Sequence, residues 1–359
     1  MKIAVLGGGN GSAAAVVDAT EAGHKTRWWR RSMENFGSVA TTKTMTVIDH
    51  AGSREVPVSP TDNLAQAING AELILIPTPA FAQEDIAKAL APHLVDGQVL
   101  YLPPGSFGAY VMMRIIRDAG CTAQIAIAET GTLPWLCRKQ GEDTVRITTR
   151  ASRLPTGVLP TSKSAHALSI IEQAFPGAIE DCGDILSAAL MNAGPIIHSP
   201  LIVMNAGPIE HFDRWDIHNE GTQPSVRMVH IALDSERMAV REKLGYGAPH
   251  FPLDDHYNTS NWMYGNLAHD KLVDSGDWHE KLNLSTHRYM SEDMAVGLAF
   301  LVSVGEWLGM EMPVSKGLLA IGSVTSGRDL RADGRTMENL GLAEITVSAV
   351  QAMLAEGFS

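Results

Sequence analysis

Residues 2–13, Lys-Ile-Ala-Val-Leu-Gly-Gly-Gly-Asn-Gly-Ser-Ala, run an apolar segment straight into glycines, and that junction constrains the fold more than any other feature. Ile3 to Leu6 predict a short buried strand. Gly7 permits the tight turn after it, and Gly9 lets backbone approach a pyrophosphate, whose charge then meets the N-terminus of a helix starting near Gly11. Ser12 stands where G-x-G-x-x-G has its third glycine, with Ala13 and Ala14 behind it. All three are small, so close packing of helix on strand survives. A glycine-rich hairpin is the competing reading, but it explains neither the Ala-rich helix of 13–21 nor the strand and basic turn expected after that helix.

This second strand is expected over 25–29, and its C-terminal end is where a dinucleotide's adenosine ribose is read. An NAD site commonly places Asp or Glu there. This chain has Arg30, Arg31 and Ser32. Two guanidiniums and a hydroxyl suit a 2′-phosphate, because Arg grips phosphate oxygens with paired charge-assisted hydrogen bonds. NADP(H) is therefore expected over NAD(H), with NAD(H) left open and a solvated basic turn as the bland alternative.

Apolar runs alternate with helical patterns through the first half. Strands are expected over 44–48, 54–58, 71–77, 98–102, 124–128 and 144–148, and helices over 62–68, 81–94 and 111–119. This alternation predicts a doubly wound, mostly parallel sheet, an α/β Rossmann domain over 1–184. Ligands of such sheets lie beyond the C-terminal strand ends, which puts Thr78-Pro79-Ala80 and Pro104-Gly105-Ser106 beside the cofactor; ordinary turn chemistry explains them equally well. From residue 185 the patterns are helical throughout, giving an all-α C-terminal domain over 185–359.

At 359 residues the chain can hold two sizeable cores, and its net charge of −12 argues against nucleic acid and against an anionic membrane surface. Cys121, Cys137 and Cys182 are too scattered for a disulfide framework or a zinc site, so no metal is expected and a reducing cytoplasm fits. No basic n-region or cleavage site opens the chain, and no signal peptide is expected. Residues 186–209 lack Asp, Glu, Lys and Arg, yet carry three prolines, two asparagines and His198. That composition suits a buried helix beside a cleft better than lipid. A homodimer through the helices near 315–323 and 346–356 stays open.

His198 is a titratable group in this uncharged stretch, between Pro195 and Pro200, and is costly there unless partnered. A satisfied core histidine is the alternative. A second segment, Arg288-Tyr289-Met290-Ser291-Glu292-Asp293, leads into an apolar helix, where Asp293 could equally be a first-turn acid. The stretch 249–257, with two histidines and two aspartates, looks like a metal cluster, but its irregular spacing makes a solvated loop the expectation, one that could close over a substrate with Trp262, Tyr264 and His269.

In length, order and domain plan the chain resembles the opine dehydrogenases of the octopine/nopaline type. The resemblance rests on Gly7-Gly8-Gly9-Asn10-Gly11, Pro104-Gly105, Glu129-Thr130, Asn192 with His198-Ser199-Pro200, and Glu220-Gly221-Thr222-Gln223-Pro224-Ser225-Val226. It continues through Arg288 to Asp293 and Gly334-Arg335-Thr336. It implies condensation of a 2-oxo acid with an amino acid at the expense of a reduced nicotinamide. A His/Asp dyad would then fall on His198 and Asp293, with Arg288 gripping the oxo-acid carboxylate. Arg30 departs from relatives that carry an acid there, as Ser12 does from the glycine pattern. Two rivals stand beside this reading: a 2-oxo acid or ketopantoate-like reductase that needs no amine, and a non-catalytic NADP-sensing protein.

Overall fold

In the computed structural model the glycine turn joins β1 (Lys2–Leu6) to helix α1 (Asn10–Glu21), as the opening residues require. Residues 1–265, 268–276 and 281–358 are described. They fall into two units, one of Met1–Ala189 with the segment from Ala352 onward, the other of Leu190–Gln351. The expected boundary at 184/185 thus sits five residues later, and the last residues, expected in the helical domain, group with the first unit.

The first unit is built on an eight-stranded sheet. To β1 are added β2 (Lys25–Trp29), β5 (Pro60–Thr61), β6 (Leu73–Leu75), β7 (Val99–Leu102), β8 (Ala126–Thr130), β11 (Leu154–Leu159) and β12 (Ile179–Asp181). Their order is β12-β11-β8-β7-β6-β1-β2-β5, parallel except where β11 meets β8. Central strands β6, β7 and β8 are buried along their whole length, which is why they read as continuous apolar runs.

A second sheet carries β3 (Thr44–Asp49), β4 (Gly52–Pro57), β9 (Trp135–Lys139) and β10 (Thr144–Arg150), in the order β4-β3-β10-β9. Its strands come from segments far apart in the chain, joined by parallel pairing of β3 with β10. An ion network ties this sheet to α1. Arg150 Nη2 lies 2.7 Å from Asp18 Oδ1 on α1 and 2.8 Å from Asp49 Oδ2 at the end of β3. Arg54 Nη1 lies 2.8 Å from the other oxygen of Asp49, and Trp135 Nε1 donates to Asp18 Oδ2 at 2.6 Å. The Arg54 and Arg150 guanidiniums hold the Asp49 carboxyl well below the usual carboxylate range.

Among the described residues of the second unit every element is helical. The uncharged stretch 186–209 expected as buried helix is interrupted: Ile185–Ala189 ends, and Asn192 caps a new helix, α2 (Ala193–Met204), by accepting from Gly194 N at 3.0 Å. The stretch is mostly buried in the protein. Helix α3 (Pro224–Lys243) follows, then α4 (Tyr289–Leu298), α5 (Ala299–Trp307) and α6 (Pro313–Ser326). Helix α4 is wound as a π-helix, the Ala299 N–H reaching back five residues to the Met294 carbonyl. Such windings are rare and concentrate at functional sites. It packs along α2, with Tyr289, Met290, Asp293, Met294 and Gly297 buried.

Replacing Arg150 with Met would leave two carboxylates facing each other where α1 meets the second sheet. Because each lost charge-assisted hydrogen bond is worth about 1.5–3 kcal/mol, R150M should unfold at clearly lower denaturant than wild type in a chemical titration. An unchanged midpoint would show that the network contributes nothing.

Candidate active site

In the first unit the residues expected to hold a dinucleotide gather at the C-terminal edge of the parallel strands. Gly7 sits at φ +117°, a conformation L side chains rarely adopt, and a Cβ there would lie 2.6 Å from Thr78 Cγ2 beyond β6. At Gly9 the same construction meets nothing within 4 Å, so the backbone is open on that side, as approach of a pyrophosphate demands. Ser12 is fully buried, its hydroxyl 3.4 Å from the Leu6 carbonyl, and fills the third glycine's place without a gap. Asn10 Oδ1 accepts from the Lys139 N–H at 3.0 Å, fastening the start of α1 to the end of β9. Pro79 and Pro104 follow β6 and β7, and the Gly105 carbonyl accepts from Gln83 Nε2 at 3.1 Å. The residues present fit a dinucleotide.

At the end of β2 the three expected 2′-phosphate residues are differently employed. The Arg30 guanidinium lies over the Phe36 ring at 5.4 Å and donates to the Asn35 carbonyl. Arg31 pairs with Asp85 at 3.0 Å, both exposed, an interaction worth little in water. The Ser32 hydroxyl caps the turn of Met33–Phe36, accepting from Glu34 N at 3.2 Å. Lys139, which no sequence motif singles out, joins them: burial, followed by the Arg30 charge, pushes its ammonium down, while Glu142 and Asp143 oppose the shift.

In the second unit α2 and α4 bring together the two residues expected as a dyad. His198 Nδ1 lies 3.1 Å from Asp293 Oδ1, the ring 19 % and the carboxylate 8 % exposed. The nitrogen is not aligned for a hydrogen bond in this arrangement, and Asp293 Oδ2 is buried with no partner among the described residues. The approach depends on Gly194, where a Cβ would fall 2.2 Å from Asp293 Oδ1. Tyr289, one turn before Asp293, stacks on the His198 ring with centroids 3.8 Å apart and planes within 12°. Its hydroxyl lies 3.2 Å from His218 Nε2, and His218 presents its edge to His198 at 5.5 Å. With Nδ1 turned to the carboxylate and one face covered by Tyr289, Nε2 is the His198 ring nitrogen directed away from Asp293. Arg288, just before α4, is exposed, and among the described residues its guanidinium has no hydrogen bond or ion pair.

The stretch 249–257, expected as a solvated loop, is largely packed. Phe251, Leu253 and His256 are buried, because Arg237 donates to the carbonyls of His250 and Phe251 at 2.8 and 3.1 Å while Asp234 accepts from Leu253 N at 2.7 Å. His256 then edges Trp262 at 5.4 Å and His269 at 5.6 Å. Among the described residues no three His, Cys, Asp or Glu side chains gather as metal ligands. Burial pushes His256 down to about 3 and His230 to about 4, and lowers His269.

Residues 181–326 match the family described as NAD/NADP octopine/nopaline dehydrogenase, alpha-helical domain, and residues 2–102 match the N-terminus of NAD-dependent glycerol-3-phosphate dehydrogenase. An opine dehydrogenase of Arthrobacter sp. (strain 1C) is 26 % identical over 301 residues, covering 81 % of each chain. An octopine dehydrogenase solved with NADH and L-arginine superposes with TM-score 0.75 at 20 % identity over 100 % of this chain and 99 % of its own. A yersinopine dehydrogenase with NADP+ bound gives 0.68 at 15 % identity over 99 % and 98 %.

The geometry sets two expected outcomes. G194A should displace Asp293 and lower turnover by about 10²–10⁴-fold, the range for losing a positioned proton-transfer group, with nucleotide affinity intact by fluorescence titration; a fully active G194A would break the link between that glycine and the dyad. The neutral histidines set an acid limit. Their folded pKa values lie below the unfolded value of about 6.5, so their contribution to stability is complete above that pH. It is lost as pH falls towards 4, by at most about 1.4 kcal/mol per pH unit for each histidine. Thermal melts between pH 7.5 and 4.5 should fall less steeply for H256N than for wild type; parallel curves would count against this origin.

Proposed function

We propose that this protein, which belongs to the opine dehydrogenase family, joins a small 2-oxo acid such as pyruvate to the amino group of an amino acid in an NADP(H)-dependent reductive condensation, and runs the reverse oxidation. It is an oxidoreductase acting on CH–NH bonds. The observation that carries the reading is the His198–Asp293 approach at 3.1 Å with the ring held face-on by Tyr289.

A reductive condensation needs one proton moved twice. The amine must lose a proton to become a nucleophile, and the carbinolamine formed on the oxo carbon must lose its hydroxyl as water. His198 Nε2 takes the first proton and returns it to the departing hydroxyl, leaving an iminium ion. Asp293 faces Nδ1 throughout and stabilises the ring while it is charged. Arg288 holds the oxo-acid carboxylate, for which a guanidinium unpaired among the described residues is suited. When bound, the reduced dinucleotide supplies the hydride that converts the iminium to the secondary amine. Gly7, Gly9, Asn10, Gly11 and Ser12 would hold its pyrophosphate, with Pro79, Pro104 and Gly105 alongside.

The preference for NADP(H) is supported by charge. The Arg30 charge is close enough to help lower the Lys139 ammonium, a repulsion that a 2′-phosphate would relieve. The Arg31–Asp85 pair is exposed and can exchange its carboxylate for a phosphate at little cost.

The deciding experiment follows NADPH and NADH oxidation with pyruvate, with and without each of the twenty protein amino acids. Oxidation that requires an amine, favours NADPH and loses that preference in R30A is the expected result. Oxidation with pyruvate alone would make the protein a simple oxo-acid reductase, and equal use of NADH with R30A unchanged would refute the cofactor assignment.

A further inference from the structure

Beside the dyad, the second unit contains a cation with no counter-charge among the described residues. Arg227 stands in the first turn of α3, its guanidinium 4.3 Å from the centroid of the Tyr257 ring. Among the described residues that guanidinium makes no hydrogen bond and no ion pair. Asp270 lies 3.8 Å from His269 Nδ1 and is itself exposed. Stacking occupies the face of a guanidinium and leaves the N–H donors around its edge unengaged.

The described imidazoles and the phenol around Arg227 carry no charge of their own. His230 Nε2 lies 2.9 Å from the Ile197 carbonyl and must donate to it, since a carbonyl only accepts. Neutral His230 then accepts at Nδ1, so the Tyr257 hydroxyl, 2.9 Å away, donates there. This fixes the ring on which Arg227 rests and links it, through Ile197, to the residue before His198. Tyr257 also meets His269 at 5.0 Å and His256 at 5.1 Å. His256 is 5 % exposed and its Nδ1 has no hydrogen-bond partner among the described residues, so the cluster holds an orphaned polar atom as well as an unpaired cation. Neutral imidazoles, an aromatic platform, a guanidinium unpaired among the described residues and one unsatisfied ring nitrogen thus form one cluster, which an anion with a hydrogen-bonding group would complement.

The geometry points to Arg227 as the residue that binds a carboxylate of the amine substrate, with Tyr257 as its platform and His230 positioning that platform. The inference rests on the condensing reaction proposed above, and it assigns the residue of this chain that recognises the carboxylate of the amino acid. An opine has two carboxylates flanking its secondary amine. One cation, Arg288, was expected from the sequence; a second is required on the amino-acid side, either at the α-carboxylate or at one borne on the side chain.

The test compares wild type, R227M and R227K with NADPH and pyruvate against three amine classes: n-butylamine and agmatine, neutral amino acids, and aspartate and glutamate. R227M should raise KM for the carboxylated amines about 10–100-fold, the usual loss for one charge-assisted hydrogen bond, and leave KM for pyruvate within about twofold. R227K should recover part of the loss. A rise for every amino acid places the α-carboxylate at Arg227, and a rise for aspartate and glutamate alone places the side-chain carboxylate there. A rise for pyruvate instead, an equal rise for amines without a carboxylate, or no change would overturn the inference. Thermal shift with NADPH and the same compounds reads binding without turnover. If wild type is stabilised by amino acids and R227M is not, the subsite stands even where the condensing reaction fails; if neither is stabilised and neither turns over, it falls.

Discussion

The second unit turns on one close approach, the backbone of α2 at Gly194 against the carboxylate of Asp293 on α4. No side chain larger than hydrogen fits between them. Because the helices come that near, an acid on one reaches an imidazole one turn further along the other. Tyr289, on the same side of α4 as Asp293, covers the ring face. The π winding of α4 belongs to the same constraint, since its wider turn presents both residues to α2 while their neighbours Met290 and Met294 fill the interior. Asp293 keeps one oxygen buried and unsatisfied among the described residues. Buried polar groups are costly in that state, and an unsatisfied one in a native fold asks for a reason beyond stability.

Charge is distributed to complement this. The molecule carries a net charge of −12, yet the groups assigned to anions are local cations: Arg30 with Lys139 in the first unit, Arg288 and Arg227 in the second. An acidic protein can draw in anionic substrates only where such residues reverse the field. Burial keeps the histidines around Arg227 uncharged, so they add no charge to that of its guanidinium.

The glycine turn, the parallel strands and the switch to helices were legible because each has a local cause: φ freedom at Gly7, continuous apolar runs in buried strands, a 3.6-residue pattern after 185. The His198–Asp293 pair was reached through resemblance to a family, and from the residues alone each had an ordinary structural explanation. What escaped was non-local. Strand β11 carries Pro155 and Gly157, which argue against a central strand, but its backbone passes so near Asp184 that only glycine is admitted there. Lys139 ends a strand that local pattern alone does not mark, and Tyr289 reads as one more apolar position between Arg288 and Asp293. The stretch 249–257 looked polar enough to be solvated; two hydrogen bonds donated by Arg237 and one accepted by Asp234, both on α3, draw it inward.

The grouping of residues from Ala352 onward with the first unit gives the protein a particular order of assembly. Leu354 is fully buried, and Phe358 lies 5.4 Å from Tyr110 on the helix Gly108–Asp118. During synthesis the eight-stranded sheet can form from residues 1–189 long before these side chains exist, but the surface they cover stays bare until the whole of Leu190–Gln351 has emerged. The dinucleotide-binding half is therefore the first to start folding and the last to be sealed.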